Sequence, residues 1–208
     1  MILKTKEYPL IQEYKNAVDD ELCSLIVDFF EEKKHLQKIG LAGNYVDTSF
    51  KNTIDIQFEK HIDNMVLSIF KESLHKCLKD YIVKNEGLKD VFPFYKENFF
   101  LSECVLKRYT KGEGFYKPHY DVSLLDELSL NRVVSFLLYL NDVEEGGETE
   151  FVTLGLKIKP QRGKVVLFPP FWTHFHKAHI PISNDKYVIS CWAHYLNIVE
   201  NQNTKVIL

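Results

Sequence analysis

From Phe99 onwards, short apolar runs alternate with turn signals, and this pattern indicates the fold class. Glycine- or proline-containing segments separate four such runs: FFLSECVLKRY, NRVVSFLLYLND, KVVLFPP and KYVISCWAHY. Runs of this length and spacing predict the strands of an antiparallel sandwich or barrel. The segment Arg132–Leu140 is apolar on both faces, which is typical of a central strand.

The first half of the chain has a helical pattern instead. Asp19–Lys34 carries apolar residues at helical spacing after two aspartates that suit a helix start. A second amphipathic helix is predicted over His61–Glu86, with Thr53–Phe58 alternating as a strand between the two. The apolar stripe of the second helix consists of Ile62, Met65, Val66, Ile69, Phe70, Leu74, Leu78 and Ile82. The 208 residues therefore predict one α+β, mainly β domain: residues 1–98 as a helical support layer with some strands, and 99–208 as the barrel core.

Composition excludes several classes of protein. The formal net charge of −3 does not provide the basic face of a general nucleic-acid binder. The N-terminal segment MILKTKEYPLIQEYKN lacks the apolar core expected of a signal peptide, and no apolar run is long enough to predict a membrane span. The four cysteines, Cys23, Cys77, Cys104 and Cys191, are scattered without a CxxC spacing, so we expect reduced, buried thiols and a cytoplasmic location.

A metal site is indicated by His119 and Asp121, two residues apart in YKPHYD. Side chains alternate along a strand, so these two point the same way and can bind one ion. A distal histidine would complete a two-histidine, one-carboxylate set, which is typical of non-haem iron(II) oxygenases. His-x-Asp alone is also common on ordinary surfaces. His176 is our choice of third ligand because of its distance from Lys186, and His174 is the alternative.

Lys186 begins the last predicted strand, on the same face as Val188, Ser190, Trp192 and His194. If that face lines the barrel, the ammonium needs an anionic partner such as a dicarboxylate. An exposed lysine at a strand start is the simpler interpretation of this residue alone.

These residues together resemble the prolyl 4-hydroxylase-type branch of the iron(II)/2-oxoglutarate dioxygenases, strongly over the C-terminal half. The residues that carry the resemblance are Tyr109, Tyr116, His119 and Asp121, then Arg132, the segment YLNDVEEGGETEF at 139–151, and finally His176, Lys186 and Trp192. The resemblance implies a double-stranded β-helix (a jelly roll, cupin-like) with N-terminal helices packed on one sheet.

The resemblance also implies the site roles. His119, Asp121 and His176 would hold iron(II), with dioxygen and 2-oxoglutarate as co-reactants and ascorbate as an additional candidate. The residues implied at the 2-oxoglutarate site are Tyr109, Thr149, Lys186 and Trp192. Arg132, His194 and Tyr116 would face the substrate. Because Asp121 is retained, hydroxylation is favoured over halogenation, in which related enzymes replace this carboxylate by a small residue.

The leading hypothesis for function is a peptidyl-proline 4-hydroxylase acting on a proline-containing peptide or protein. A hydroxylase of a free amino acid or small metabolite is the alternative within the enzyme class. Demethylation of alkylated bases is disfavoured because the chain is acidic and has no basic stripe with interleaved aromatic residues. A jelly-roll protein that binds metal without turnover is the alternative from a different class.

Overall fold

The structure is a computed structural model, and it describes residues 8, 10–88, 101–122, 127–194, 198–201 and 204–207. The helices are α1 (Asp20–Glu32), α2 (Phe58–His61), α3 (Asn64–Lys84) and α4 (Glu127–Leu130). The strands are β1 (Gln12–Tyr14), β2 (Lys38–Ile39), β3 (Lys51–Asn52), β4 (Ile54–Gln57), β5 (Leu101–Tyr109), β6 (Phe115–His119), β7 (Arg132–Tyr139), β8 (Thr149–Phe151), β9 (Leu156–Ile158), β10 (Val165–Phe168), β11 (His176–Ala178), β12 (Lys186–His194), β13 (Ile198–Asn201) and β14 (Thr204–Ile207).

Two antiparallel sheets form the body of the protein. The larger has seven strands in the order β1-β10-β7-β12-β5-β4-β2, and the smaller has five in the order β3-β6-β11-β8-β9. Strands β7 and β12 lie inside the larger sheet, which explains why Arg132–Leu140 is apolar on both faces. The jelly-roll prediction is confirmed. A two-stranded β13-β14 ribbon follows the core.

Two apolar layers cover the two faces of the larger sheet. On the outer face, α1 and α3 pack through residues such as Ile26, Phe30 and Leu74, all fully buried. Between the two sheets lies a second cluster that includes Tyr139, Phe151 and other buried residues. The predicted helical layer on one sheet is therefore present, and the inner layer leaves room for a cavity at one end of the sandwich. The boundary predicted at residues 98 and 99 lies outside the described residues, as does part of the loop between Asp121 and Arg132.

The second helix departs from its prediction in two respects. It begins at Asn64, because the Asp63 carboxylate caps the first turn by accepting from the Met65 backbone N–H at 2.8 Å. Met65 and Ile69, which were assigned to the apolar stripe, are exposed by 71% and 47%, so that part of the prediction is wrong. Four residues of the predicted stripe, Phe70, Leu74, Leu78 and Ile82, are buried, and Cys77 and Tyr81 complete the buried face.

All four cysteines are buried and unpaired, as the sequence analysis expected. Within the described part of the chain, no helix has both the length and the apolar character needed to cross a membrane.

Candidate iron and 2-oxoglutarate site

A cavity of about 860 Å³ opens between the two sheets. Strands from both sheets supply its walls, so residues far apart in sequence meet there. Of the ten site residues predicted from the sequence, nine line this cavity: Tyr109, Tyr116, His119, Asp121, Arg132, Thr149, His176, Lys186 and Trp192. His194 does not line it; this side chain is buried at the end of β12, opposite Arg132 in the strand register.

His119, Asp121 and His176 converge at one point of the cavity. Their ligand atoms all lie within 4.8 Å of one another. The two histidines are direct partners across β6 and β11, and Asp121 follows two residues after His119. Asp121 Oδ1 lies 3.7 Å from His119 Nε2 and 3.8 Å from His176 Nε2. This spacing suits three ligands of one ion.

Backbone carbonyls fix the orientation of both imidazoles. His119 Nδ1 lies 2.8 Å from the Lys117 carbonyl oxygen, and His176 Nδ1 lies 2.9 Å from that of His174. A carbonyl oxygen only accepts hydrogen bonds, so each Nδ1 carries the proton. The lone pair of each Nε2 therefore points into the cluster, as metal-binding histidines require.

The carboxylate of Asp121 is oriented in a similar way. Its Oδ2 accepts from Ser135 Oγ at 2.5 Å and from Trp192 Nε1 at 3.1 Å, which leaves Oδ1 facing the histidines. Burial alone would raise the pKa of Asp121, but His176, His119 and these two hydrogen bonds lower it below its usual value. Desolvation, and then the neighbouring His176, lower the pKa of His119. Near neutral pH the cluster thus holds an ionised carboxylate beside a neutral His119, the protonation states in which these groups bind metals.

This donor set fits iron(II). Two imidazoles and one carboxylate on one side of an ion are the ligands of non-haem iron(II) oxygenases, and the remaining positions stay open for co-reactants. His174, the alternative distal ligand, lies in a 3-10 turn over Trp172–His174, and its Nδ1 is 3.0 Å from Thr173 Oγ1. The turn precedes the strand that carries His176, and His176 lines the cavity whereas His174 does not.

A prediction follows from the hydrogen bond that Ser135 donates. Ser135→Ala is expected to weaken metal binding by about 10- to 100-fold, the usual effect of losing a group that orients a metal ligand. Anaerobic titration of the metal-free protein with iron(II) measures this change. Ser73→Ala, in the exposed part of α3, is the matched control. Equal affinities in the two variants would contradict a role for Ser135 in orienting Asp121.

Lys186 lies at the far side of the cavity and is almost completely buried. Its ammonium donates to the Gly147 carbonyl oxygen at 2.8 Å and lies 4.1 Å from the centre of the Tyr109 ring. Desolvation lowers the pKa of Lys186 to about 7, against a smaller opposing effect of Glu148. Within the described residues, no carboxylate forms an ion pair with this ammonium. A dicarboxylate would supply the missing charge.

The EEGGET segment makes a turn at its two glycines. Gly146 and Gly147 both have φ of 72°, in the left-handed region. A Cβ at Gly146 would lie 2.3 Å from the Ile180 carbonyl oxygen, so no larger residue fits there. The turn brings the carbonyl of Gly147 to Lys186, so it contributes directly to the site.

Two of the residues predicted to face the substrate, Tyr116 and Arg132, contact side chains at the metal cluster. Tyr116 stacks on the His119 ring with centroids 3.5 Å apart. Arg132 donates to the backbone oxygen of Asp121 at 2.6 Å, and its guanidinium lies 3.8 Å from the centre of the Trp192 ring. Trp192 was assigned to the 2-oxoglutarate site, but its indole N–H binds the Asp121 carboxylate.

Sequence reasoning gave no site role to four residues that the structure places at the site. Tyr139 is fully buried and donates to Oγ1 of Thr149, a residue of the cavity lining, at 2.7 Å. Ser135, Ser190 and Lys107 are buried polar residues whose side chains make hydrogen bonds near the ligands. The alternation of side chains along β5 offered a signal for Lys107, which stands two residues before Tyr109 and therefore on the same face.

Comparison with known proteins agrees with this geometry. Residues 104–194 match the 2OG-Fe(II) oxygenase superfamily, and this range contains every residue of the metal cluster. The chain is 34% identical to prolyl 4-hydroxylase 13 of Arabidopsis thaliana, over 88% of this chain and 70% of that one. It is 36% identical to the probable prolyl 4-hydroxylase 9 of the same plant, over 41% of this chain and 38% of the relative. The chain thus spans most of one relative and well under half of the other.

A solved structure extends the likeness to the whole fold. The viral collagen prolyl hydroxylase of Paramecium Bursaria Chlorella virus-1, crystallised as a 2-oxoglutarate complex, superposes with a TM-score of 0.65. That superposition covers 90% of this chain and 97% of the viral one at 19% identity, so it concerns the fold. The near full-length match at 34% identity, together with the superfamily match, establishes the family. The chain belongs to the prolyl 4-hydroxylase family of 2-oxoglutarate- and iron(II)-dependent dioxygenases.

Proposed function

We propose that this enzyme hydroxylates a prolyl residue of a peptide at C4, with conversion of 2-oxoglutarate to succinate and carbon dioxide. The observation that carries the proposal is one cavity with the metal cluster at one side and the buried ammonium of Lys186 at another. The family relationship supplies the prolyl substrate: the relatives are named prolyl 4-hydroxylases, and the viral neighbour is named a collagen prolyl hydroxylase.

Different residues would bind the metal and the cosubstrate. His119, Asp121 and His176 would hold iron(II), which with 2-oxoglutarate and dioxygen supplies the oxidative chemistry. Lys186 would bind the distal carboxylate of 2-oxoglutarate. The Tyr139–Thr149 hydrogen bond and the Tyr109 ring would shape the pocket around the cosubstrate.

On the substrate side, Tyr116 and Arg132 would position the prolyl residue, because both lie beside the metal ligands. His194 remains a predicted substrate residue, and its buried side chain does not line the cavity. The protein's share of catalysis is to hold ligands in place and exclude water, and the buried aromatic walls favour both. We also propose ascorbate as the reductant. A cytoplasmic location is proposed as well, and the four unpaired cysteines support it.

The test is direct. The purified enzyme with iron(II) and 2-oxoglutarate is incubated with proline-containing peptides, and both succinate and a gain of one oxygen on proline are measured by mass spectrometry. We expect both products in equal amounts. Succinate without oxygen transfer to any prolyl substrate would overturn the prolyl assignment. The absence of succinate under all conditions would favour a metal-binding protein without turnover.

The pKa of Lys186 leads to a prediction for pH dependence. The protonated form binds 2-oxoglutarate, and a pKa of about 7 in the free protein means that this form is already abundant below pH 7. Affinity for 2-oxoglutarate should therefore be level below pH 7 and fall by roughly tenfold per pH unit above it. Calorimetric titration from pH 6 to pH 9 measures this profile.

Lys186→Arg is the matched control for the pH profile, because a guanidinium stays charged over the whole range. Its 2-oxoglutarate affinity should not change with pH. The same decline in both proteins would assign the pH dependence to another group.

A further inference from the structure

Besides Lys186, and besides Lys51, which pairs with Asp55, the cavity contains the buried ammonium of Lys107, to which the proposed function gives no role. Lys107 is 8% exposed and lines the cavity from β5. Its Nζ donates to the neutral hydroxyl of Ser190 at 2.5 Å. Among the described residues no carboxylate lies within ion-pair distance of this ammonium. A buried cation with only a hydroxyl partner is costly, so an anion is expected to complete the contact.

The nearest carboxylate on the neighbouring strand is already bound by other groups. Asp55 of β4 stands directly opposite Lys107 in the strand register. However, Asp55 Oδ2 accepts from Lys51 Nζ at 2.6 Å, and Oδ1 accepts from Thr53 Oγ1 at 2.7 Å. Asp55 and Lys51 thus form a neutral pair beside Lys107. Asp121, the other carboxylate of the cavity lining, faces the histidines and receives Ser135 and Trp192.

The cosubstrate does not supply the missing charge either. Under the proposed function, the two positive charges of iron(II) and that of Lys186 balance Asp121 and the two carboxylates of 2-oxoglutarate. Lys51 is paired with Asp55, and the guanidinium of Arg132 contacts the Asp121 backbone oxygen and the Trp192 ring. The balanced sum therefore leaves no negative charge of the metal site or the cosubstrate for Lys107. The remaining molecule that enters the cavity is the one to be hydroxylated.

The position of Lys107 separates it from the end of the cavity where Lys186 lies. Lys107 is opposite Val188 on β12, and its ammonium reaches Ser190, two residues further from Lys186. It lies 5.9 Å from the centre of the Trp192 ring, and Trp192 in turn binds Asp121. A group bound at Lys107 therefore lies near the metal ligands, at the place where the reacting part of a substrate must be.

We propose that Lys107 binds a carboxylate of the substrate, so that this enzyme prefers a prolyl residue with a carboxylate close to the carbon that is hydroxylated. The carboxylate is the terminal group of a free or C-terminal proline, or the side chain of an acidic neighbour. The proposal rests on the prolyl 4-hydroxylase function and narrows its substrate class. Lys107 acts as a specificity determinant.

The experiment compares four small substrates with the complete enzyme. Acetyl-glycyl-proline carries a terminal carboxylate, and acetyl-glycyl-prolinamide is its neutral counterpart. Acetyl-aspartyl-prolinamide carries the carboxylate on the side chain of the residue before proline. Acetyl-asparaginyl-prolinamide is the neutral counterpart of this second charged substrate. Hydroxylated product is measured by mass spectrometry for the wild type, Lys107→Met, Lys107→Arg and Lys76→Met. Lys76→Met, on the exposed side of α3, makes the same change of net charge away from the cavity.

We expect the wild type to use at least one charged substrate with a KM about 10- to 100-fold below that of its neutral partner, the usual effect of one charged hydrogen bond. The arm that shows the difference identifies the source of the carboxylate. Lys107→Met should lose this preference without a change in the KM for 2-oxoglutarate. Lys107→Arg should restore it in part, and Lys76→Met should retain it fully.

Three results would overturn the proposal. The first is equal use of charged and neutral partners by the wild type, which leaves the prolyl function intact. The second is a rise in the KM for 2-oxoglutarate alone in Lys107→Met, which would assign this lysine to the cosubstrate. The third is succinate formation without hydroxylation of any of the four substrates or of longer proline peptides, which contradicts the prolyl function as well. Because the wild-type comparison needs no variant, poor folding of Lys107→Met would not prevent the test.

Discussion

Asp121→Ala is expected to abolish both succinate formation and hydroxylation. The substitution removes the only carboxylate of the metal cluster and leaves two imidazoles, so metal affinity should fall by more than the roughly 100-fold that loss of an orienting partner costs. Iron(II) titration of the metal-free variant and a succinate assay at saturating iron measure the two effects.

The fold should survive this substitution, because the backbone of Asp121 keeps its contacts. Its N–H donates to the Pro170 carbonyl oxygen at 2.9 Å, and its carbonyl oxygen accepts from Arg132. Asp28→Ala, on the exposed side of α1, is the control for removal of a carboxylate elsewhere. Near-normal succinate production by Asp121→Ala would contradict the assignment of the three metal ligands.

Lys186→Met is expected to raise the KM for 2-oxoglutarate by about 30- to 1,000-fold, the effect of truncating one partner of a buried charge pair. Turnover at saturating 2-oxoglutarate should change much less, because the ion pair binds the cosubstrate equally before and during reaction. The dependence of succinate formation on 2-oxoglutarate concentration separates the two parameters.

Lys164→Met is the matched control for Lys186→Met. Lys164 is also a buried lysine, but its ammonium pairs with Glu13 at 2.9 Å outside the cavity lining. Its KM for 2-oxoglutarate should equal that of the wild type. An unchanged KM in Lys186→Met would remove Lys186 from the cosubstrate site, whereas a loss of turnover with unchanged KM would indicate a different role in the reaction.

Local sequence patterns predicted the parts of the fold that depend on local rules. The strands β5, β7, β10 and β12 lie where apolar runs were seen, because alternation and turn residues specify strands directly. Lys186, Val188, Ser190 and Trp192 share the cavity face as period two required. His194, the fifth residue predicted on this face, does not line the cavity, and the strand register shifts between Ala193 and His194. The start of α3 was misplaced, because a single capping carboxylate at Asp63 decides where that helix begins.

Site residues that belong to a sequence motif were predicted. Site residues that are defined only by contacts between distant strands were not. The sequence predicted His119 and Asp121 on one strand. Strand β6 ends at His119, and Asp121 lies just beyond it, but the spacing of two residues still brings both side chains to the metal cluster. The choice of His176 over His174 depended on the resemblance, and the 3-10 turn that separates them is not visible in the sequence. Lys107 has the same alternation as Tyr109, yet the sequence does not reveal which face of β5 lines the cavity.

The pairing of His119 with His176 across β6 and β11 has a mechanical consequence. The smaller sheet is built from strands of only two to five residues, and few hydrogen bonds hold each to its neighbours. An ion bound by both histidines would cross-link these two adjacent strands and stabilise their pairing. When iron is scarce, the metal-free enzyme would open locally in this sheet. The rate of amide hydrogen exchange in these strands would then measure the fraction of the enzyme that holds metal.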